Sequence, residues 1–364
     1  MILSFIKNFD WVLFITSLLL VALGVSLIYS TTLDFDSRTS LVKKQIISLG
    51  IGTILMFLIS LTHFQLFHTY AWVFYFISIA ILSSVLFFGE EIRGTRGWFF
   101  IGGFGIQVSE YAKILLIISL ARYFSSVKDR MYQTRHIFIT GALMAVPTFL
   151  VLKEPDSGTA LIFFSIWLCM LISSGVKRIH LLILSALGVL GAIFSWLFVL
   201  ADYQKERFFA LLDPASDPLD QGYNIIQSMV AVGSGGFLGK GLGHGTQSQL
   251  RFLPEQHTDF IFAVVAEELG FVGALFLIGL LSFLFWKLIT ILKKTGDDFG
   301  VFVICGFLAL LITETFVNIG MNIGLLPIIG IPLPFVSYGG SSLTACFMGL
   351  GLIESAVIQS NQSH

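Results

Sequence analysis

The fold class is decided by residues 10–30, DWVLFITSLLLVALGVSLIYS, in which only the first residue is charged. As a helix, about 20 apolar residues span the hydrocarbon core of a bilayer. The run is too long for the core of a signal peptide, and no small-residue cleavage pattern ends it. The sequence therefore predicts a retained transmembrane helix.

Further apolar runs of similar length follow along the chain. The complete set predicts an all-α polytopic membrane protein with ten transmembrane helices, forming a single membrane domain over residues 1–364 with one long extracytoplasmic loop at 201–258. The composition agrees, because 56% of the residues are hydrophobic and 12% are charged, against about 25% charged in a soluble domain. Soluble enzyme classes are therefore excluded. The predicted spans are residues 10–30, 45–62, 69–88, 108–124, 137–152, 158–174, 180–200, 259–286, 300–323 and 341–359.

The charges predict an orientation and exclude one class of partner. Lys and Arg are more frequent in the short loops on the side of the N-terminus than in those on the other side, which predicts that both termini are cytoplasmic. The formal net charge of −1 lacks the basic excess of a nucleic-acid-binding surface. We therefore expect no nucleic acid partner.

The run at 108–124 carries two ionisable residues, Glu110 and Lys113, three positions apart on one helix face. Ionisable groups inside a span are costly and are by default candidates for function. Two interpretations stay open. The residues are either an ion pair that only neutralises itself or a charged wall of a polar cavity.

Arg93 and Arg96 lie just before that run, in a segment with glycines and a tryptophan at 93–102. We expect this segment to be a loop at the level of the lipid headgroups. There the arginines either anchor the chain at the interface or bind phosphate through their planar guanidinium groups.

Lys153 and Asp156 lie between two predicted spans, in KEPDSGT at 153–159. In one interpretation Asp156 or Ser157 caps the next helix. In the other, the charges at the mouth of the bundle contact a charged ligand.

The long loop contains GSGGFLGKGLG at 233–243. It is not a phosphate-binding P-loop, because that pattern needs Gly where Ser234 stands and Ser or Thr where Gly241 stands. What remains is a tightly turning backbone that can approach a ligand closely.

The loop ends in FLPEQHTDF at 252–260, which leads into the eighth span. Asp259 is either part of a helix N-cap, which Thr258 would also serve, or a carboxylate at the membrane surface that takes a proton from a hydroxyl. Further along the same helix, Glu267 and Glu268 point in different directions. We expect one to face the cavity and the other a neighbouring helix.

In the ninth span Glu314, Asn318 and Asn322 recur at four-residue spacing on one face. Helix–helix hydrogen bonding is the preferred interpretation of this polar stripe. The following segment, 332–342, is broken by prolines and glycines, and such backbone at membrane depth is tolerated where it lines a cavity or is buried in protein.

On the predicted topology the polar segments lie on one side of the membrane. Loops placed by chance would divide between the two sides, so this convergence predicts an outward-facing polar site. The segments are 93–102, 153–157, 233–259 and 332–342.

These motifs resemble the SEDS family, the ten-span cell-wall polymerases of shape, elongation, division and sporulation, and its elongation branch more than its division branch. The resemblance covers nearly the whole chain and is most specific at residues 233–236, 252–268 and 318–342. It departs at Gly97, where the family often has an arginine directly before the tryptophan. Arg93 and Arg96 are therefore equal candidates for that role.

The resemblance implies a peptidoglycan glycosyltransferase that polymerises lipid II, the undecaprenyl-diphosphate-linked disaccharide pentapeptide, into β-1,4 glycan strands during cell elongation and rod-shape maintenance. Asp259 matches the family's essential aspartate and is the expected general base. The expected substrate-binding residues are Glu110, Lys113, Arg93, Arg96, Lys153 and Asp156.

The resemblance also implies location in the bacterial cytoplasmic (inner) membrane, contact with membrane lipid, a class B penicillin-binding protein as transpeptidase partner, and other elongation-complex proteins. It implies assistance by a divalent cation, Mg²⁺ or Mn²⁺, although no ligand set in the sequence identifies the metal, and no organic cofactor. The alternative function is a lipid II flippase or transporter, which intramembrane charges and a polar cavity fit equally well. A flippase needs access from both sides, whereas the polar segments here gather on one.

Overall fold

The computed structural model describes most of the chain. The described residues are 8–32, 38–92, 94–131, 133–198, 202–216, 221–250 and 252–362.

Helices dominate the described residues. Before the long loop they are α1 (Trp11–Thr31), α2 (Arg38–Leu61), α3 (Phe64–Thr69), α4 (Ala71–Phe88), α5 (Val108–Val127), α6 (Thr134–Lys153), α7 (Ser157–Ser173) and α8 (Arg178–Phe198). From the long loop onward they are α9 (Asp202–Leu212), α10 (Gln221–Ser234), α11 (Thr246–Gln249), α12 (Ile261–Lys294), α13 (Asp298–Asn322) and α14 (Gly340–Gln362).

The helical membrane architecture expected from the sequence is confirmed. Among the described residues, eight helices are long and apolar enough to cross a membrane. The other two predicted spans, 108–124 and 158–174, are also helical, but α5 carries buried charges and α7 is only 17 residues long. That all ten cross the membrane therefore stays a prediction.

The segment at 93–102 is not the loop that we expected. Described from residue 94 onward, it belongs to a three-stranded antiparallel sheet of β1 (Glu90–Ile92), β2 (Thr95–Ile101) and β3 (Phe104–Gln107). Ile101 pairs with Phe104 across the two residues Gly102 and Gly103, whose φ angles are +60° and +82°. Two central residues with positive φ make the turn that suits the twist of a β-hairpin, and glycine adopts it without steric cost.

The bundle is built around its C-terminal helices. Most of α13 and α14 is buried, and α14 packs along α2 while α13 packs against α7 and α5. The start of α12 and the end of α13 meet at one end of this core, together with the non-helical segment 323–339. The candidate site lies there.

The glycine-rich stretch of the long loop approaches a helix rather than a ligand. A Cβ at Gly235 would collide with the carbonyl oxygen of Ala266. Helix α12 is broken at Gly270, which has φ +67°. Main-chain bonds to the glycine-rich stretch hold both sides of this break, since Lys240 N donates to Glu267 O and Phe271 N donates to Gly236 O.

The expectation that Glu267 or Glu268 faces the cavity is wrong. Both side chains are fully buried, and neither lines the cavity described below. Glu267 accepts hydrogen bonds from Lys240 Nζ and from the main chain of the long loop, while Glu268 accepts from Ser30 Oγ on α1. Both carboxylates therefore hold the long loop and α1 against α12.

Candidate active site

A polar cavity of roughly 690 Å³ lies at the end of the bundle where the predicted polar segments meet. Each of the four segments contributes lining residues, so their predicted convergence is a feature of the structure. Part of the cavity wall is apolar and is formed by prolines, isoleucines and Trp98. The polar lining residues include Thr95, Gln107, Asp156, Ser157, Arg207, Asn224, Glu255, Thr258, Asp259, Tyr338 and Ser341.

Asp259 lines this cavity two residues before the start of α12, and its side chain is half-buried. The opposite wall comes close to it at Gly330, where a Cβ would lie 3.4 Å from Asp259 Oδ2. Gly330 has φ +67°, a conformation that favours glycine. The wall can therefore approach the carboxylate without a side chain between them.

The polar stripe on α13 holds the main chain at Asp259. The carboxamide nitrogens of Asn318 and Asn322 both donate to the carbonyl oxygen of Asp259, at 3.0 and 2.9 Å. Asn322 makes the helix–helix hydrogen bond that the preferred interpretation of this stripe predicts, since it accepts from Ala263 N on α12. Asn318 instead bonds non-helical main chain, at Asp259 and Ile331. The third member, Glu314, lies deeper and bonds elsewhere.

Asp156 caps the next helix, as one of its two interpretations predicts, and its contact with a charged ligand stays a prediction. Its Oδ1 accepts from Thr159 N at 2.8 Å, which makes it the N-cap of α7. It also lines the cavity. Capping and ligand contact are compatible here, because the capping residue itself stands at the cavity wall.

Arg207 is the cation that the sequence analysis missed. Among the described residues that line the cavity it is the one Lys or Arg, and its side chain is half-buried. It lies on α9 in the long loop, where Lys and Arg counts carry little information about orientation. Lys205 stands two residues before it, and nothing in the sequence indicates which of the two lines the cavity.

Glu110 and Lys113 form the expected ion pair, but with a third partner. Lys113 Nζ lies 2.8 Å from Glu110 Oε1 and 2.6 Å from Glu314 Oε1, and all three side chains are buried. None of them lines the cavity. The group is a buried triad of two carboxylates around one ammonium, located between α5 and α13.

Among the described residues, the other two predicted cations, Arg96 and Lys153, do not line the cavity. Arg96 is exposed on β2, and the exposed Lys153 places its ammonium 4.9 Å from the centre of the Phe149 ring. Arg93 lies outside the described residues.

Glu154 is a buried carboxyl beside the cavity, within the KEPDSGT motif but not among the expected substrate-binding residues. It follows α6, is 1% exposed, and neither side-chain oxygen has a hydrogen-bond partner among the residues that the structure describes. A Cβ at Gly97 would lie 3.1 Å from Glu154 Oε2. Burial, reinforced by the charge of Asp156, raises the pKa of Glu154 to about 8.

We expect Glu154→Gln to change how stability depends on pH. Between the usual carboxyl pKa of 4.5 and about 8, the unfolded chain has lost this proton while the folded chain keeps it, so rising pH favours unfolding. The free energy of unfolding of the variant should therefore rise relative to that of the parent from pH 5 to pH 8, by at most about 1.4 kcal/mol per pH unit. Thermal midpoints of both proteins measured across this pH range should show the same trend. Parallel pH dependence in both proteins would contradict the assignment.

The donor groups do not fit a resident metal ion. Within the described ranges, no three or more His, Cys, Asp or Glu side chains come together in a way that could hold one. The carboxylates of Asp156, Glu255 and Asp259 line one cavity but form no such cluster. We therefore assign no catalytic step to the expected divalent cation.

Known proteins are similar to this chain in sequence and in fold. A family model described as "Cell cycle protein", covering FtsW, RodA and SpoVE, matches residues 10–362. The chain is 38% identical to the peptidoglycan glycosyltransferase MrdB of Escherichia coli K12, over 93% of this chain and 92% of that protein. It is 32% identical to the peptidoglycan glycosyltransferase RodA of Treponema pallidum, over 96% and 98%. A chain in a solved peptidoglycan synthase complex that coordinates polymerization and crosslinking is similar with TM-score 0.82, 33% identity and coverage of 97% and 99%.

Proposed function

This chain belongs to the FtsW, RodA and SpoVE family of cell cycle proteins, and from that premise we propose that it is a peptidoglycan glycosyltransferase of the cell-elongation type. Its substrate in this proposal is lipid II, which it polymerises into β-1,4 glycan. The observation that carries the proposal is the polar cavity that contains Asp259 together with Asp156 and Arg207.

The proposed reaction begins with the acceptor, the 4-hydroxyl of a lipid-linked sugar. Asp259 accepts the hydroxyl proton as the oxygen bonds to the anomeric carbon of the donor glycan. The bond from that carbon to the diphosphate oxygen breaks at the same time, which inverts an α-linked donor to a β-linked product. Undecaprenyl diphosphate leaves, and the proton passes from Asp259 to water.

The leaving diphosphate develops negative charge, which a fixed cation stabilises. We assign this role to Arg207 because it lines the cavity and because a guanidinium group can form a bidentate pair of hydrogen bonds with phosphate oxygens. The sequence had suggested Lys113, Arg93 or Arg96. Lys113 is less suited, since its ammonium already bonds two buried carboxylates.

We further infer the surroundings of the reaction. The polyprenyl tails lie in the membrane between helices, and the cavity faces outward with both termini cytoplasmic. The similar chain that occurs in a complex coordinating polymerization and crosslinking supports a crosslinking partner for this chain. We propose that this partner is a class B penicillin-binding protein, acting with the other elongation-complex proteins.

Two parallel assays on the purified full chain test the proposal against the flippase alternative. Given lipid II, the parent protein should make glycan polymer and Asp259→Ala should not. In vesicles, lipid II translocation that persists in Asp259→Ala, combined with no polymer from the parent, would favour the flippase. Equal polymer from parent and variant would refute the role of Asp259.

A further inference from the structure

We propose that Asn318 and Asn322 are positioning residues that hold the Asp259 carboxylate in its reactive place, through its main chain. The expected effect on the reaction rate rests on the proposed function. Its physical basis lies in the hydrogen bonds around the start of α12.

The main chain of Asp259 lies outside the hydrogen-bond ladder of α12. In a regular helix its carbonyl oxygen would accept from the amide of Ala263, four residues on. Instead Ala263 N donates to Asn322 Oδ1 at 3.2 Å, and the regular ladder begins one residue later, with Val264 N donating to Phe260 O. The carbonyl oxygen of Asp259 is therefore not held by the helix ladder, while its amide donates to Glu255 O at 3.2 Å.

The two carboxamides hold the carbonyl oxygen of Asp259 in place of the helix ladder. Asn318 and Asn322 lie one helical turn apart on α13, and both donate to the carbonyl oxygen of Asp259. Their remaining N–H groups donate to Ile331 O at 2.7 Å and to Asn318 O at 2.7 Å. Each carboxamide NH₂ group has two N–H donors, and a carbonyl oxygen can accept two hydrogen bonds. Both donors of each asparagine and both acceptor positions of the Asp259 carbonyl oxygen are therefore occupied. Satisfied buried networks of this kind impose one geometry.

The same bonds fix both sides of the space around the carboxylate. Asn318 joins Asp259 to Ile331, the residue after Gly330, whose backbone forms the wall facing Asp259 Oδ2. One side chain thereby sets the separation between the carboxylate and that wall. Displacement of a catalytic group by about 1 Å can cost about 100-fold in rate.

The test is steady-state polymerisation of lipid II by Asn318→Leu and Asn322→Leu, with Ser228→Ala as the matched control. Ser228 Oγ donates to the main-chain carbonyl of Asn322 at 2.8 Å and lies 3.4 Å from its Oδ1. The control therefore removes a buried hydrogen bond to the same residue but leaves both carboxamide donors to Asp259 in place. We expect kcat to fall about 10- to 100-fold in each Leu variant with KM within about twofold, since a misplaced base affects the transition state and not substrate binding. The control should keep kcat within about twofold.

A second measurement needs no polymerase activity. Labelling of Asp259 by a water-soluble carbodiimide, followed by mass spectrometry, should change at least about threefold in rate in the Leu variants and not in Ser228→Ala. If the Leu variants do not fold, Asn318→Ser and Asn322→Ser remove the same donors with smaller side chains and serve in both assays.

The outcomes separate the two proposals. Unchanged kcat and labelling in the folded variants, or equal losses in Ser228→Ala, would overturn the positioning role. If the parent makes no polymer, the proposed function fails, and the labelling result alone decides whether the asparagines position Asp259.

Discussion

Replacing Asp259 by asparagine should lower the polymerisation rate by about 10²–10⁴-fold while the protein stays folded. That range is what a positioned general base contributes, and a carboxamide has the shape of the carboxylate but cannot take up the proton. The fold should persist because the hydrogen bonds from Asn318 and Asn322 are made to the main-chain carbonyl of this residue, which the substitution leaves in place. Steady-state kinetics with lipid II, alongside thermal midpoints in detergent, measure both quantities.

Asp297→Asn is the matched control for this prediction. Asp297 is the N-cap of α13 and accepts from Gly300 N at 3.0 Å, a role that asparagine fills equally well. It is not among the residues that line the cavity. Its rate should equal that of the parent. Comparable rate losses in both variants, or a rate for Asp259→Asn within tenfold of the parent, would show that proton transfer to this carboxylate is not required.

The helical part of the fold could be predicted from the sequence, because long apolar runs have one structural solution in lipid. The run at 10–30 became α1, and the run at 300–323 became α13 almost residue for residue. The hairpin at Gly102 and Gly103 was also readable, since two glycines between apolar strands are a recognised turn signal. The hairpin was not predicted, because the arginines of that segment favoured a loop at the level of the lipid headgroups.

The site was predictable as a set of segments but not as a set of contacts. Topology alone put 153–157 and 332–342 at one end of the bundle, where both line the cavity. Two features depend on how helices pack, which no local pattern encodes. One is the position of Arg207 at the cavity wall, and the other is the pairing of Lys113 with Glu314, 201 residues further along the chain.

That long-range pairing leads to the largest stability change that we expect. Lys113→Met should destabilise the folded protein by about 3–5 kcal/mol, the cost of breaking a buried ion pair by removal of one partner. Methionine keeps the length and apolar stem of lysine, so packing changes little. What changes is that Glu110 and Glu314, both buried, lose the ammonium that bridges them. Thermal midpoints in detergent should fall accordingly.

A compensated variant identifies the cause of this loss. Lys113→Met combined with Glu110→Gln and Glu314→Gln replaces all three charges of the triad, and replacement of a whole buried ionic group is often neutral for stability. This triple variant should recover most of the lost stability. If it is as unstable as Lys113→Met, the loss comes from packing around residue 113. If Lys113→Met itself is as stable as the parent, the triad makes no net contribution to the fold, and its charges would have to be explained by function alone.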